Sequence, residues 1–497
     1  MPSIKAFFAK LYAARTYKKI QKWSSSPLET QNRVFQSLIS EAAATSFGVD
    51  HDFISINSHE DFVKRVPVRD YEALKPYVDK VVAGEANVLW KGKPLYFAKT
   101  SGTTSGAKYI PITKESMPSH VEAAKNAILL YIHQTGNTQI VDRKMIFLQG
   151  SPVLEDKNGV QLGRLSGIVA HYVPKYLQKN RLPSWETNCI EDWEMKVNKI
   201  VQETIHEDMS IIAGIPSWVQ MYFEKLVDQK GQKVGDIFKN LNLFIFGGVN
   251  YEPYRSKFET LIGRKVDSIE LYPASEGFFA FQDLQNETGM LLQLDSGMFY
   301  EFISADTFFD ASHQRLTLKD VKIGVNYVII ISTTAGLWAY NIGDTVQFTS
   351  LAPFRVIVSG RIKHFISAFG EHVIAKEVEH ALLSALKATD ISVSEFTVAP
   401  QIAPSTELPY HEWFIEFENP PSDLKAFASK IDAAMQLQNS YYKDLVVGKV
   451  LQPLVITPVP KAGFQSYMKQ IGKLGGQNKT PRLSNDRKIA DALTKAI

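Results

Sequence analysis

Apolar positions recur at helical spacing in two early stretches of the chain. Leu28–Ser46 carries Val34, Leu38, Ile39 and Ala42 on one face, and Ser116–His133 carries Val121, Ala124, Ile128, Leu129 and Ile132. Such spacing predicts amphipathic helices. Asp61–Val78 (DFVKRVPVRDYEALKPYV) reads as a short turn followed by a helix start. Short continuous apolar runs follow: Lys144–Leu148 (KMIFL), Ile211–Gly214 (IIAG), Leu243–Phe246 (LFIF) and Ser268–Tyr272 (SIELY). Runs of this length bounded by turn signals predict buried strands, and Pro216 is placed to open a helix after the second. The alternation predicts α/β sheets with both faces covered. From about Met298 to Phe348 the pattern turns β-rich, with Tyr327–Ser332 (YVIIIS) and Thr345–Phe348. Beyond Arg361 a smaller α+β unit is predicted. It holds helices over Ala375–Leu386 and Ser422–Met435 and strands near Glu395–Val398, Trp413–Phe417 and Leu454–Thr457. Ala399–Pro409 and Pro420–Pro421 read as loops, and no internal repeat is visible.

At 497 residues the chain is long enough for several domains. A net charge of +3 is close to balance and points to no nucleic-acid partner. The one cysteine, Cys189, excludes an intramolecular disulfide and a zinc–cysteine cluster, which fits a reducing, cytoplasmic setting. No apolar run approaches a membrane span, and the N-terminus has no signal-peptide core. The segment Ile4–Trp23 is basic and free of acidic residues. It reads either as a helix docked on the protein's own surface or as a membrane-surface or targeting helix.

Chemistry concentrates at the ends of these apolar runs, where α/β sheets collect ligands. Thr100–Thr113 reads TSGTTSGAKYIPIT after the strand-like Pro94–Ala98. Its Ser101, Gly102, Thr103, Thr104, Ser105 and Gly106 can bring N–H groups and hydroxyls close to a phosphate. The same composition also suits a plain polar loop. Three residues separate Gly102 from Gly106, so the Walker pattern is not met. Tyr272–Phe278 (YPASEGF) puts Glu276 at a strand-to-loop junction, where a carboxylate suits Mg2+ or an exposed turn. In Tyr340–Val346 (YNIGDTV), Asp344 can accept from ribose hydroxyls or form an Asx turn. Arg361, after Ser359-Gly360, is a permanent cation. Lys479, in Gly475–Arg482 (GGQNKTPR), is either a solvated tail lysine or one that meets charge developing on an oxygen. His411-Glu412 lacks the second histidine of a metalloprotease helix, since Ile415 stands in its place.

Together these stretches resemble the adenylate-forming superfamily of acyl-CoA synthetases, luciferases and adenylation domains. Within it the chain is most similar to the auxin-responsive (Gretchen Hagen) family of acyl acid amido synthetases and its bacterial members. Asp61–Val78, Thr100–Thr113, YPASEG, Thr333–Asp344 (TTAGLWAYNIGD) and Asn478–Arg487 (NKTPRLSNDR) carry the likeness. The resemblance implies a large N-terminal domain, 1–360, of helix-flanked sheets with a distorted barrel-like part. It also implies a mobile α+β domain, 361–497, that carries the late lysine and hinges near Ser359–Lys363. It implies ATP and Mg2+, a carboxylic acid activated as its adenylate, and transfer of the acyl group to an amine, usually an amino acid. Ser101, Thr103, Thr104 and Ser105 would contact phosphates. Tyr272 and Ser275 would border adenine and the α-phosphate, Glu276 would hold Mg2+, and Asp344 with Arg361 would take the ribose. Lys479 would stabilise the α-phosphate, and Gly247, Gly248 and Val249 would line the nucleotide or acyl cleft. A monomer acting on small molecules is expected.

The chain departs from the plant pattern at Ser367–Val373 (SAFGEHV), where plant members carry a lysine and Glu371 and His372 stand here. The plant acyl-pocket residues do not map onto this chain. Gly163–Pro174 and Gly214–Met221 are candidates for that pocket, with Trp218 equally suited to the core. An acyl-CoA ligase shares the first half-reaction and differs in its acceptor. A nucleotide-binding protein without catalysis is disfavoured by Glu276, Asp344, Arg361 and Lys479 standing together.

Overall fold

The computed structural model describes residues 3–103, 106–173, 178–248, 251–310, 312–362, 365–366, 371, 373–402, 404, 408–447, 450–475 and 479–495. The chain divides into two compact units: residues 1–249 with 261–358, and residues 250–260 with 359–497.

The first unit is a mixed α/β body. Its main sheet has eleven strands. Lys144–Phe147, Met209–Ala213, Leu243–Gly247 and Asp267–Ala274 run parallel in one half of it. Met209–Ala213 is buried at every position and Leu243–Gly247 at its first four, as expected of strands covered on both faces. From Gly277–Phe281 onward the sheet is antiparallel through Met290–Leu292, Phe354–Arg361, Tyr340–Leu351, Asn326–Thr333 and Met298–Ser304. The β-rich stretch therefore extends an open sheet, and no closed barrel forms among the described residues. A four-stranded sheet orders Gly106–Ile112, Tyr96–Thr103, Val160–Gly163 and Glu155–Lys157.

The helix Met117–Thr135 lies against both the N-terminal helix Ile4–Ser24 and the strands Asp267–Ala274 and Gly277–Phe281. It buries Met117, His120, Ala123, Ala127, Leu130, Tyr131 and Ile132. Of the predicted face Ile132 is buried while Val121, Ala124, Ile128 and Leu129 are half-buried, so the buried face is rotated by about one residue. Ala123 and Ala127 let the neighbouring elements approach, and the larger apolar residues move to the flanks.

The second unit builds a three-stranded sheet from Ser392–Gln401, Tyr410–Asn419 and Val455–Val459. Helices Ala375–Leu386 and Leu424–Gln438 pack on each other over a core that includes Val378, Leu382, Phe396, Trp413, Ile415 and Ile431. The first strand runs on through Pro400 to Gln401, where the sequence predicts a loop. It lies at a sheet edge, where the missing proline N–H is tolerated.

Candidate active site

The Ser/Thr/Gly stretch forms a β-hairpin. Thr100 pairs with Lys108 and Thr103 with Gly106, with a register shift between them. Thr104 and Ser105 lie outside the described residues, and Ser101, Gly102, Thr103 and Gly106 are described by backbone alone. The second strand is held from below by Tyr71. Its hydroxyl accepts the Tyr109 N–H at 2.9 Å, and Lys108 Nζ stands 5.6 Å from the centre of its ring. Tyr71 opens the helix Tyr71–Val82, which Asp70 caps by accepting from the Ala73 N–H.

Two residues earlier, Arg69 bonds a different part of the unit. Its N–H donates to the Ala339 carbonyl at 3.0 Å, and its carbonyl accepts from Asn341 N–H at 2.8 Å. The short segment 69–71 thus fastens the hairpin to the start of the Tyr340–Leu351 strand. Thr113, at the hairpin's exit, adds a hydroxyl bond to the Thr334 carbonyl at 2.8 Å.

That strand carries Asp344 on a bulge. Asn341 stands opposite Ile330 and Thr345 opposite Val328, so residues 342–344 face Ile329 alone. Bulges bend a strand and re-aim its side chains. Here Gly343 takes φ 87°, a left-handed conformation costly for other residues. Its N–H donates to Asn341 Oδ1 at 2.8 Å, so Asn341 makes the Asx turn and Asp344 is left for another partner. The Asp344 carboxylate, buried, accepts the Tyr272 hydroxyl at 2.8 Å.

Tyr272 sits near the end of Asp267–Ala274, its ring 4.9 Å from that of Phe279. Ala274 pairs with Gly277, which leaves Ser275 and Glu276 as a two-residue turn, both half-buried. The neighbouring parallel strand ends at Gly247, where a Cβ would lie 2.5 Å from the Leu271 carbonyl oxygen. A side chain there would push the two central strands apart. Val249 lies outside the described residues.

Tyr272→Phe tests the coupling. Losing a hydrogen bond to a buried carboxylate should cost about 1.5–3 kcal/mol of stability. Urea unfolding with no change in midpoint would mean that Tyr272 does not hold Asp344.

Arg361 and Lys479, both exposed, belong to the second unit. Lys479 is followed by a segment fixed to the sheet edge. The Val398 N–H donates to the Arg482 carbonyl at 2.9 Å, the Ser484 N–H donates to the Val398 carbonyl at 2.9 Å, and Thr397 Oγ1 donates to the Pro481 carbonyl at 2.7 Å. Arg482 itself is buried. It ion-pairs with Glu395, reaches Glu379 at 3.3 Å and donates to the Tyr254 hydroxyl at 3.0 Å. Its guanidinium also lies 4.7 Å from the Phe396 ring centre. Burial alone would lower its pKa, but Glu395, Tyr254 and Glu379 outweigh that and raise it. Arg482 was visible in the sequence only as a member of the late motif. Its role as an anchor depends on burial, which one residue cannot reveal.

Glu371, at the departure from the plant pattern, is buried and pairs with His411 at 2.8 Å, while its carbonyl accepts from Asn439 at 2.9 Å. His372 lies outside the described residues. Trp218 is buried against Trp193 with ring centres 4.5 Å apart, a core position.

For magnesium, no group of three or more His, Cys, Asp or Glu side chains suited to a metal gathers among the described residues. A half-buried turn carboxylate such as Glu276 fits the ordinary protein share of a Mg2+ held mainly by phosphates and water.

Three family models match along the chain: the GH3 family N-terminal domain over residues 16–190, its central domain over 291–361 and its C-terminal domain over 376–488. The chain belongs to the GH3 family. Among GH3 relatives, jasmonoyl–L-amino acid synthetase JAR4 of Nicotiana attenuata is 20% identical, over 64% of this chain and 66% of its own length. Indole-3-acetic acid-amido synthetase GH3.15 of Arabidopsis thaliana is 22% identical, over 91% of this chain and 90% of the relative. A solved structure titled GH3.15 acyl acid amido synthetase superposes with a TM-score of 0.79 at 16% identity, covering 96% of this chain and 95% of that one. The fold is also shared with 2-hydroxyisobutyryl-CoA ligase, at a TM-score of 0.62 and 13% identity over 95% of this chain and 91% of that one.

Proposed function

We propose that this GH3 chain is an ATP-dependent acyl acid amido synthetase. A carboxylate oxygen of the acid attacks the α-phosphorus of ATP, the bond to the β-phosphate oxygen breaks, and pyrophosphate leaves. An amine, usually of an amino acid, then attacks the acyl carbon. The acyl–phosphate bond breaks, AMP leaves and the amide forms with loss of the amine proton. Neither step needs a nucleophilic side chain; both need positioning and charge stabilisation.

One observation carries the reading. The Ser/Thr/Gly hairpin is fastened through Tyr71 and Arg69 to the strand of Asp344, and Asp344 is bonded to Tyr272 beside the Ser275-Glu276 turn. Motifs far apart in sequence thereby meet in one unit. In this reading the hairpin's N–H groups and hydroxyls, Ser101, Thr103, Thr104 and Ser105 among them, take the phosphates. Tyr272 and Ser275 border the adenine and α-phosphate, Asp344 takes the ribose with Arg361, and Glu276 holds Mg2+, which would neutralise phosphate charge. Lys479 meets the α-phosphate, carried by a smaller domain, 361–497, that turns between the half-reactions. Gly247, Gly248 and Val249 line the cleft. The protein acts on small molecules as a cytoplasmic monomer. No described helix is long and apolar enough to cross a membrane.

Membership of the GH3 family favours an amine over CoA as acceptor. Incubation with ATP, an adenylated acid and either amino acids or CoA, followed by mass spectrometry, separates the two. Amide with AMP is expected; thioester alone would overturn the reading. Glu276→Gln should raise the Mg2+ concentration needed for half-maximal adenylation about tenfold or more, the loss of one charged ligand contact. An unchanged magnesium titration would remove Glu276 from that role.

A further inference from the structure

We propose that the outward face of the N-terminal helix docks the protein on an anionic phospholipid surface. The helix Ile4–Ser24 buries Ala6, Ala13, Ile20 and Trp23. That side packs on the helix Met117–Thr135 and the turn Gln139–Val141, and Ser3 Oγ at its start donates to Asp142 Oδ1 at 2.5 Å. One side of the helix is therefore already used by the protein's own fold.

The other side is largely exposed among the described residues. Ile4, Phe7, Phe8, Leu11 and Tyr12 recur at helical spacing and remain 40–78% exposed. With 3.6 residues per turn they centre opposite Ala6 and Ala13. Arg15, Lys18, Lys19 and Lys22 continue the same outward side toward the C-terminal end, all exposed. No acidic residue occurs from Ile4 to Ser24. Lys19 approaches Glu122 at 3.9 Å with both side chains exposed, a weak pair that leaves the charge available. The outward face is thus divided along its length, apolar first and basic after. Contiguous exposed apolar patches on a soluble protein mark an interaction surface.

The charge selects the occupant. A second copy of this helix would set cations against cations, which disfavours self-association. A phospholipid surface with anionic headgroups meets both halves: the Phe7–Phe8 end enters the headgroup boundary and the lysines meet the phosphates and carboxylates. Weak apolar insertion combined with a basic patch gives reversible attachment, whereas either alone is marginal.

Co-sedimentation of the full chain with phosphatidylcholine vesicles, with and without phosphatidylserine, tests this directly. Binding is expected only with phosphatidylserine and should fall as salt rises. Each lysine at such a surface changes partitioning about fivefold, so Lys18→Gln/Lys19→Gln/Lys22→Gln should reduce it about 100-fold. Phe7→Ser/Phe8→Ser should reduce it at least about tenfold, through lost apolar burial. Both sets lie on exposed positions and should leave the melting temperature unchanged. No binding to phosphatidylserine vesicles at low salt, or binding by both variants equal to that of the unsubstituted chain, overturns the proposal. So does a concentration-dependent dimer in sedimentation velocity that both variants abolish, which would assign the face to a second copy of the chain.

Discussion

Replacing Lys479 by alanine should lower acid-dependent ATP–pyrophosphate exchange about 100- to 1,000-fold, the usual cost of one group aimed at charge that develops in a transition state. The melting temperature should not move, because the side chain is exposed and the following segment is held by bonds that do not involve it: those between Val398 and both Arg482 and Ser484, and that of Thr397 to Pro481. The kinetic pattern discriminates further. A lysine that acts only in the transition state lowers kcat and kcat/KM together, whereas one that merely binds ATP raises KM. Full exchange activity in Lys479→Ala would remove this residue from the mechanism.

Arg482→Met should destabilise the protein more than Tyr272→Phe does. Removing the cation takes away the ion-pair partner that Glu395 and Glu379, both largely buried, share. Breaking a buried ion pair on one side costs about 3–5 kcal/mol. The loss should be confined to the second unit, so global melting is a poor measure of it. Amide hydrogen exchange at Thr397 and Val398, beside the anchored segment, reads it directly. Protection there should fall by two to three orders of magnitude, about 1.4 kcal/mol per tenfold. Adding Glu395→Gln to Arg482→Met should restore part of the protection, because one of the two carboxylates that Arg482 neutralised is gone. Unchanged protection in Arg482→Met would mean that the arginine is not what holds the segment after Lys479.

The parts legible in the sequence are those whose environment is uniform along the element. Leu243–Phe246 reads as a strand because it is covered on both faces, and it forms Leu243–Gly247; Ser268–Tyr272 falls in Asp267–Ala274, where Ile269, Leu271 and Tyr272 carry the burial. The helix over Ser116–His133 was readable in type and length, but its buried face was not. It touches two layers, and periodicity alone assumes one. The β-rich stretch after Met298 was readable in type, while its continuation of the main sheet depends on pairings across long sequence separations.

At the site, Gly343-Asp344 signalled a turn carboxylate. That Asn341 supplies the Asx turn, freeing Asp344 for Tyr272 at 72 residues' distance, is a product of register and bulge. Arg69 and Tyr71 lay within a stretch that resembled the family, yet they had no visible chemistry. Arg69 acts through its backbone, and Tyr71 through a hydroxyl and a ring turned to the hairpin. Positioning of this kind carries no residue-type signature.

The measurement that bears most directly on the central claim is ATP–pyrophosphate exchange across a panel of carboxylic acids, with neither amine nor CoA present. Exchange that appears only with particular acids, and that disappears in Lys479→Ala, is the result expected of an enzyme that first makes an acyl-adenylate. ATP binding without exchange for any acid in the panel would contradict it.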